Sequence, residues 1–208
     1  MSANEYAELA RLGSATVYEG GGRRGLIDVP LTQVVPGSRV AGPARIAVCA
    51  PGDNTMVHAV IAHAQPGDVL VLTSARPTPH AFIGELLATQ AQKQGVAGIL
   101  VDAAVRDFDE LAAIGLPIWA RWVRAQGATK GEVGELDALA ILGGTEIRPG
   151  DLIVMDCDGA MALPAARIDE VFPLALEREK REAEMRQRYA AGELSYDVQG
   201  IRKLIEGG

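Results

Sequence analysis

The sequence predicts an α/β domain: a mixed sheet built around parallel β–α–β units, with a helical C-terminal arm. Between residues 69 and 123, apolar runs rich in Val, Leu and Ile alternate with helical runs. That order sets strands side by side in parallel and lays helices over them. A Pro-Gly turn feeds an apolar strand twice, in QPGDVLVLT (65–73) and RPGDLIVMD (148–156); turn chemistry alone suffices for both, so they are not a repeat. Past residue 165 the pattern becomes a charged helix. The chain has 208 residues, 48% of them hydrophobic, enough for one core. Residues 1–164 read as that core and 165–208 as an arm of the same domain, suited to subunit contacts.

In chain order, residues 4–12 form an amphipathic helix, GSATVYEG continues it, and GGGRRG (20–25) breaks it. SRVAGPARIAVCA (38–50) has strand character. PGDNTMVHAVIAHA (51–64) turns and then becomes a helix, with Asp53 or Asn54 in the capping position. Strand 69–73 passes into a loop, SARPTPHAFI. GELLATQAQKQG (84–95) is a helix closed by Gly95, and VAGILVDA (96–103) is a strand apolar on both faces. RDFDELAAIG (106–115) is a helix closed by Gly115, followed by the strand LPIWARWV. Residues 137–164 are strand-rich with short turns, antiparallel or mixed. Residues 165–191 are helical, and a last short helix spans about 196–206.

A net charge of −7 with scattered basic residues argues against a nucleic-acid surface. The densest charge, EREKREAEMRQR (177–188), mixes both signs, as a solvated or interface-lining helix face does. Cys49 and Cys157 each sit in an apolar stretch without zinc-type spacing. Both are expected to be buried thiols in a reducing cytosol. The start, MSANEYAELARL, lacks the marks of a signal peptide, and no apolar run approaches the ~18–20 residues of a membrane span. The expectation is a soluble, cytoplasmic protein with no membrane or nucleic-acid partner.

Topology says where chemistry can sit. If strands 69–73 and 96–102 are parallel, both leave the sheet at one edge, where open α/β proteins bind ligands. The start of helix 84–94 then faces Arg106 and Asp107 across a crevice. The N–H groups of Glu85, Leu86 and Leu87 lack intrahelical acceptors and suit a carboxylate or phosphate, with Gly84 allowing close approach. Arg106 supplies a planar cationic fork, and Asp107 one hard oxygen ligand of the kind Mg²⁺ takes. The competing reading is structural: Asp107 and Glu110 match the N-cap and N3 positions of a capping box, with Arg106 an ordinary surface residue.

Glu85, twenty intervening residues, then Arg106-Asp107 resembles the pattern of the RraA-like family, and within it the class II pyruvate aldolases. Those enzymes cleave 4-hydroxy-4-methyl-2-oxoglutarate and 4-carboxy-4-hydroxy-2-oxoadipate. PGDNTMVHAVI (51–61), GVAGILVDAAVRD (95–107), LPIWAR (116–121), AQGATK (125–130), RPGDLIVMDCDGAMALP (148–164) and AAGELSYD (190–197) also resemble family segments, in order and over nearly the whole chain. The resemblance implies a layered β/β/α swivelling-type fold. It also implies pyruvyl-carboxylate binding by the amides of Gly84 to Leu87, contact of Arg106 with the same unit, and Asp107 as the ligand of Mg²⁺ or Mn²⁺. Glu85 stands where the aldolases usually have aspartate, and would steer the base that takes the C4 hydroxyl proton. A secondary oxaloacetate decarboxylase activity follows from the shared enolate. The resemblance further implies a homotrimer or homohexamer, in which Glu182, or nearly as well Glu179, reaches a neighbour's site. Its alternatives are a non-catalytic regulator of a ribonuclease and a dedicated oxaloacetate decarboxylase.

Other residues have plainer readings. His58 and His63 are five apart, off one helix face, and read as core or surface. His80 belongs to the loop before Gly84 and Asp102 to a strand end. Arg121 and Lys130 are candidates to meet distal carboxylates, with surface charge the default for both. Trp119 and Trp122 read as packing or interface residues.

Overall fold

Four parallel strands form the centre of the protein. The computed structural model describes residues 1–207; Gly208, the last residue of the predicted arm, lies outside them. The chain runs α1 (Ala3–Gly20), β1 (Thr32–Gln33), β2 (Val40–Cys49), α2 (Thr55–His63), β3 (Val69–Ser74) and β4 (Ala81–Ile83). It continues through α3 (Glu85–Lys93), β5 (Gly98–Val105), α4 (Phe108–Ile114), β6 (Ile118–Val123), β7 (Glu135–Leu136), β8 (Ala140–Leu142) and β9 (Thr145–Ile147). It ends with β10 (Leu152–Asp156), β11 (Gly159–Leu163), α5 (Ile168–Ala190), α6 (Ser195–Val198) and α7 (Ile201–Glu206).

The main sheet has the order β1-β6-β5-β3-β2-β10-β11, and β4 and β7 pair with β5 and β2. The pairs β2–β3, β3–β5 and β5–β6 are parallel, while β10 joins β2 and β11 antiparallel. Each parallel return passes through a helix, as the alternating apolar runs predict.

Period-two alternation sorts the core into layers. Leu70, Leu72, Ile99, Val101 and Ile118 face one way and pack with Val57, Val60, Leu87, Ala91 and Leu111 of the helices α2, α3 and α4. Val69, Val71, Leu100 and Trp119 face the other way, against Leu142, Ile147, Ile153, Met155 and Ala162 of a second β layer. That is the β/β/α layering. On the far side, α1 and α5 cover β10 and β11 through Leu9, Leu12, Val17, Val154, Leu163 and Val171.

The two Pro-Gly turns share one device. Asp68 and Asp151 each accept a backbone N–H from three residues back, Gln65 at 2.7 Å and Arg148 at 2.8 Å. The aspartate after the glycine thus closes each turn.

Three expectations need correction. SARPTPHAFI is not all loop: its last residues form β4, parallel to the end of β5. The final helix is two short ones, divided at Gly200, whose φ is +72°. Cys157 is exposed in the turn joining β10 to β11, whereas Cys49 is buried, and burial together with the Asp53 charge pushes its thiol up to about 12. Among the described residues, no helix is long and apolar enough to cross a membrane.

Helix α1 is kinked at Gly13 (φ +83°), where a Cβ would lie 2.5 Å from Asp156 Oδ2. Past the kink, Ser14 N–H donates to Asp156 Oδ2 at 2.9 Å and Ser14 Oγ donates to Oδ1 at 2.6 Å, so a buried carboxylate restarts the helix. Asp156→Ala should therefore destabilise the protein by about 2–3 kcal/mol in urea unfolding. A loss below about 0.5 kcal/mol would show that the carboxylate does not hold the kink.

Candidate active site

The site lies where β2, β4 and β5 leave the sheet. Because β4 runs beside the end of β5, Arg106 N–H donates to Ile83 O at 3.0 Å. That bond delivers Gly84 directly beside the Arg106-Asp107 pair. Gly84 is the N-cap of α3, in extended backbone. A Cβ on it would lie 2.5 Å from Asp107 Oδ2 and 3.1 Å from Arg106 Cγ and Nε. Only glycine lets the two segments come this close.

Asp107 does not cap its own helix. Its backbone is left-handed (φ 57°, ψ 48°) and its side chain makes no capping bond to α4. Oδ2 instead accepts the N–H of Glu85 at 3.1 Å and lies 3.6 Å from Arg106 Nε. The capping box with Glu110 is not formed; the carboxylate caps the neighbouring helix, where an anion is favoured. Of the three amides expected to be open, that of Glu85 is taken. Those of Leu86 and Leu87 have no acceptor among the described residues.

The segment after β6 closes another wall. Ala81 N–H donates to Gln126 O at 2.8 Å, Asn54 N–H to Thr129 O at 3.0 Å, and Thr129 Oγ1 to Asp53 Oδ2 at 3.1 Å. These bonds hold Lys130 at the cleft and lay Gly127 under Arg106, where a Cβ would lie 2.8 Å from Nη1.

The result is a cleft of about 450 Å³ lined by Asn54, His58, Glu85, Arg106, Asp107 and Lys130, among others. The Arg106 and Asp107 side chains are about half exposed to it, 49% and 41%. Asn54 is buried, and its Nδ2 donates to Phe82 O at 3.0 Å. That bond orients the amide and leaves Oδ1 buried without a partner. A buried acceptor left unpaired costs about 1–3 kcal/mol. Burial, and then the Lys130 charge, hold the His58 imidazole below its usual range.

For a metal, the donor set is sparse. Among the described residues, no three His, Cys, Asp or Glu side chains cluster to hold one. Those residues therefore offer no closed zinc-type donor set within one chain. The sparse set fits Mg²⁺ or Mn²⁺, which accept a single carboxylate and complete their shell with water and ligand oxygens. Asp107 offers that carboxylate.

Several predicted candidates lie elsewhere. Arg121 donates to Asp102 at 2.9 Å, and Asp102 accepts from Thr73 at 3.2 Å. By alternation, all three stand on the sheet face opposite α2, α3 and α4, so Arg121 does not enter the cleft. Its guanidinium stacks on Trp122, while Trp119 is buried and donates to Asp156 O. His80 engages Thr78 and Gln126 outside the cleft lining, and His63 engages Ala59 O. Glu179 pairs with Arg11, and Glu182 with Arg178 and Arg186; neither lines the cleft of its own chain.

Lys130, a candidate for a distal carboxylate, does line the cleft, as do Asn54 and His58, whose local sequence contexts do not point to a site. The signal for Asn54 was available, because β2 is parallel to β3, so its exit loop reaches the same edge as Gly84 and Arg106. Asn54 was read only as a cap, a task Asp53 performs by accepting Thr55 N–H at 2.8 Å.

A family model described as RraA-like, aldolase/RraA, matches residues 14–162. A Halalkalibacterium halodurans protein named "Putative 4-hydroxy-4-methyl-2-oxoglutarate aldolase" is 34% identical over 168 residues, 81% of this chain and 78% of that one. Streptomyces coelicolor RraAS2, described as an unusual member of the RNase ES inhibitor RraA protein family, superposes with a TM-score of 0.77 at 29% identity. The match covers 89% of this chain and 97% of that one. An uncharacterized Pseudomonas syringae protein reaches a TM-score of 0.86 at 22% identity, over 97% and 95% of the chains, a likeness of fold.

Gly84→Ala should destabilise the protein by about 1–3 kcal/mol, because the new methyl meets Asp107 and Arg106. In an Asp107→Ala background the cost should fall by at least about 0.5 kcal/mol. Simple additivity in that double-mutant cycle would contradict the close approach.

Proposed function

The chain belongs to the RraA-like family, and from that premise we propose that it is a divalent-metal-dependent pyruvate aldolase. Its substrate is a 4-hydroxy-2-oxo acid, 4-carboxy-4-hydroxy-2-oxoadipate or 4-hydroxy-4-methyl-2-oxoglutarate, cleaved to pyruvate and a second oxo acid. Oxaloacetate decarboxylation is a secondary activity. The observation that carries this reading is the convergence of Asp107, Arg106 and the open amides of Leu86 and Leu87 on one cleft.

Each group has a task. The Leu86 and Leu87 amides, at the positive end of α3, bind the substrate's C1 carboxylate. Asp107 holds Mg²⁺ or Mn²⁺, which when bound supplies Lewis-acid charge to the oxo acid. Arg106 directs its fork at the C2 oxygen, where negative charge collects as the C3–C4 bond breaks. Glu85, exposed in the cleft lining, steers the base that removes the C4 hydroxyl proton. The O–H electrons form the new carbonyl at C4, and the C3–C4 pair moves into the enolate of pyruvate. Protonation at C3 then completes pyruvate. Loss of CO₂ from oxaloacetate leaves the same enolate, hence the second activity.

The assembly belonging to this reading is a homotrimer or homohexamer, with Glu182 or Glu179 of a neighbouring α5 beside the cleft. A second reading, regulation of a ribonuclease by protein contact, draws on the RraAS2 likeness. The presence of Arg106, Asp107 and Gly84 together favours the enzyme.

Pyruvate release from 4-hydroxy-4-methyl-2-oxoglutarate, followed with a coupled dehydrogenase, tests the proposal. Release should require Mg²⁺ or Mn²⁺ and stop with a chelator. Asp107→Ala should lower kcat/KM by about 100-fold or more, and Arg106→Lys by roughly 10–100-fold. Full turnover in Asp107→Ala, or turnover indifferent to chelator, would overturn the assignment.

A further inference from the structure

The Arg106-Asp107 pair borders two hollows. Besides the cleft against α3, a depression of about 380 Å³ is lined by Arg106, Asp107, Val123, Arg124 and Ala125. Arg106 and Asp107 line both hollows, so the second lies directly beside the pair.

Arg124 is the cation of that hollow. Its N–H donates to Val105 O at 2.9 Å, which seats it beside the residue preceding Arg106. Its guanidinium donates only to the adjacent Val123 O, at 2.9 Å, and among the described residues no carboxylate pairs with it. Its neighbours differ: Arg106 lies by Asp107 and Arg121 is held by Asp102. Val123 and Ala125 add apolar wall, suited to a methyl or methylene beside a charged end. Lys130, also without a carboxylate partner, stands in the other hollow with the α3 amides, where the pyruvyl carboxylate is already received.

We propose that Arg124 is a specificity-determining residue that grips the substrate's second carboxylate, so that the site selects 4-hydroxy-2-oxo acids ending in a carboxylate. This rests on the aldolase reading. The guanidinium fork matches a carboxylate in two parallel hydrogen bonds, which neither a methyl nor a hydroxymethyl end can accept.

The test uses the full-length protein with Mn²⁺. KM for 4-hydroxy-4-methyl-2-oxoglutarate is measured with the inhibition constants of 2-oxoglutarate, which has a distal carboxylate, and pyruvate, which has none. In Arg124→Gln, KM and the 2-oxoglutarate constant should rise about 10–100-fold, with kcat changed less than about fivefold and the pyruvate constant within about twofold. Arg124→Lys should recover part of the loss. The unchanged pyruvate constant also reports an intact fold and Arg106-Asp107 pair. If 2-oxoglutarate and pyruvate weaken together, or neither weakens, Arg124 does not select the distal carboxylate. A wild-type protein that releases no pyruvate with either metal overturns the aldolase reading itself, and this inference with it.

Discussion

The hydrogen bond from the Glu85 amide to the Asp107 carboxylate organises the proposed site. It joins the start of one helix to the residue before another, 22 positions on, and requires three local concessions. Gly84 gives up its side chain, Asp107 adopts a left-handed backbone, and α4 loses its own side-chain cap. A folding-driven sequence would make none of these, since a capping box at Asp107 and Glu110 was within reach. Local rules broken together at one cleft support reading it as a site, where geometry for a ligand would outrank helix stability.

The rest of the fold makes that bond possible. The parallel order of β2, β3 and β5 brings three exit loops to one edge, and β4 carries Gly84 those last residues to Arg106. The second β layer and the α1–α5 pair cover the far face, while the cleft opens at the sheet edge beside α3. The segment from Arg124 to Lys130 is bonded back onto Gly52, Asn54 and Ala81. Lys130 thereby stands in the cleft beside Asp107 and Arg106, and Arg124 in the hollow next to it.

Much of this was legible in the chain. Apolar runs alternating with helical ones identified β3, α3, β5, α4 and β6, because strands buried on both faces cannot hide their composition. Glycines at 84, 95 and 115 marked where helices begin and end. What escaped was long-range. β4 is three residues following Pro77 and Pro79, and only its pairing with β5 makes it a strand. Asn54 looks like a cap until the edge it shares with Gly84 is known. Cys157 sits in an apolar run but at the hairpin turn, and Arg121 looks like Arg106 until strand alternation puts it on the other face. In each case a residue's role depended on a partner distant in sequence.

The central claim is that Asp107 and the start of α3 form a single seat for a divalent ion and an oxo-acid carboxylate. Mn²⁺ binding followed by electron paramagnetic resonance, with and without oxalate as a two-carboxylate mimic of the enolate, measures it directly. Oxalate should tighten Mn²⁺ binding by about tenfold or more, and Asp107→Ala should lose both the ion and the enhancement. Equal Mn²⁺ affinity in the two proteins, or an affinity indifferent to oxalate, would contradict the account.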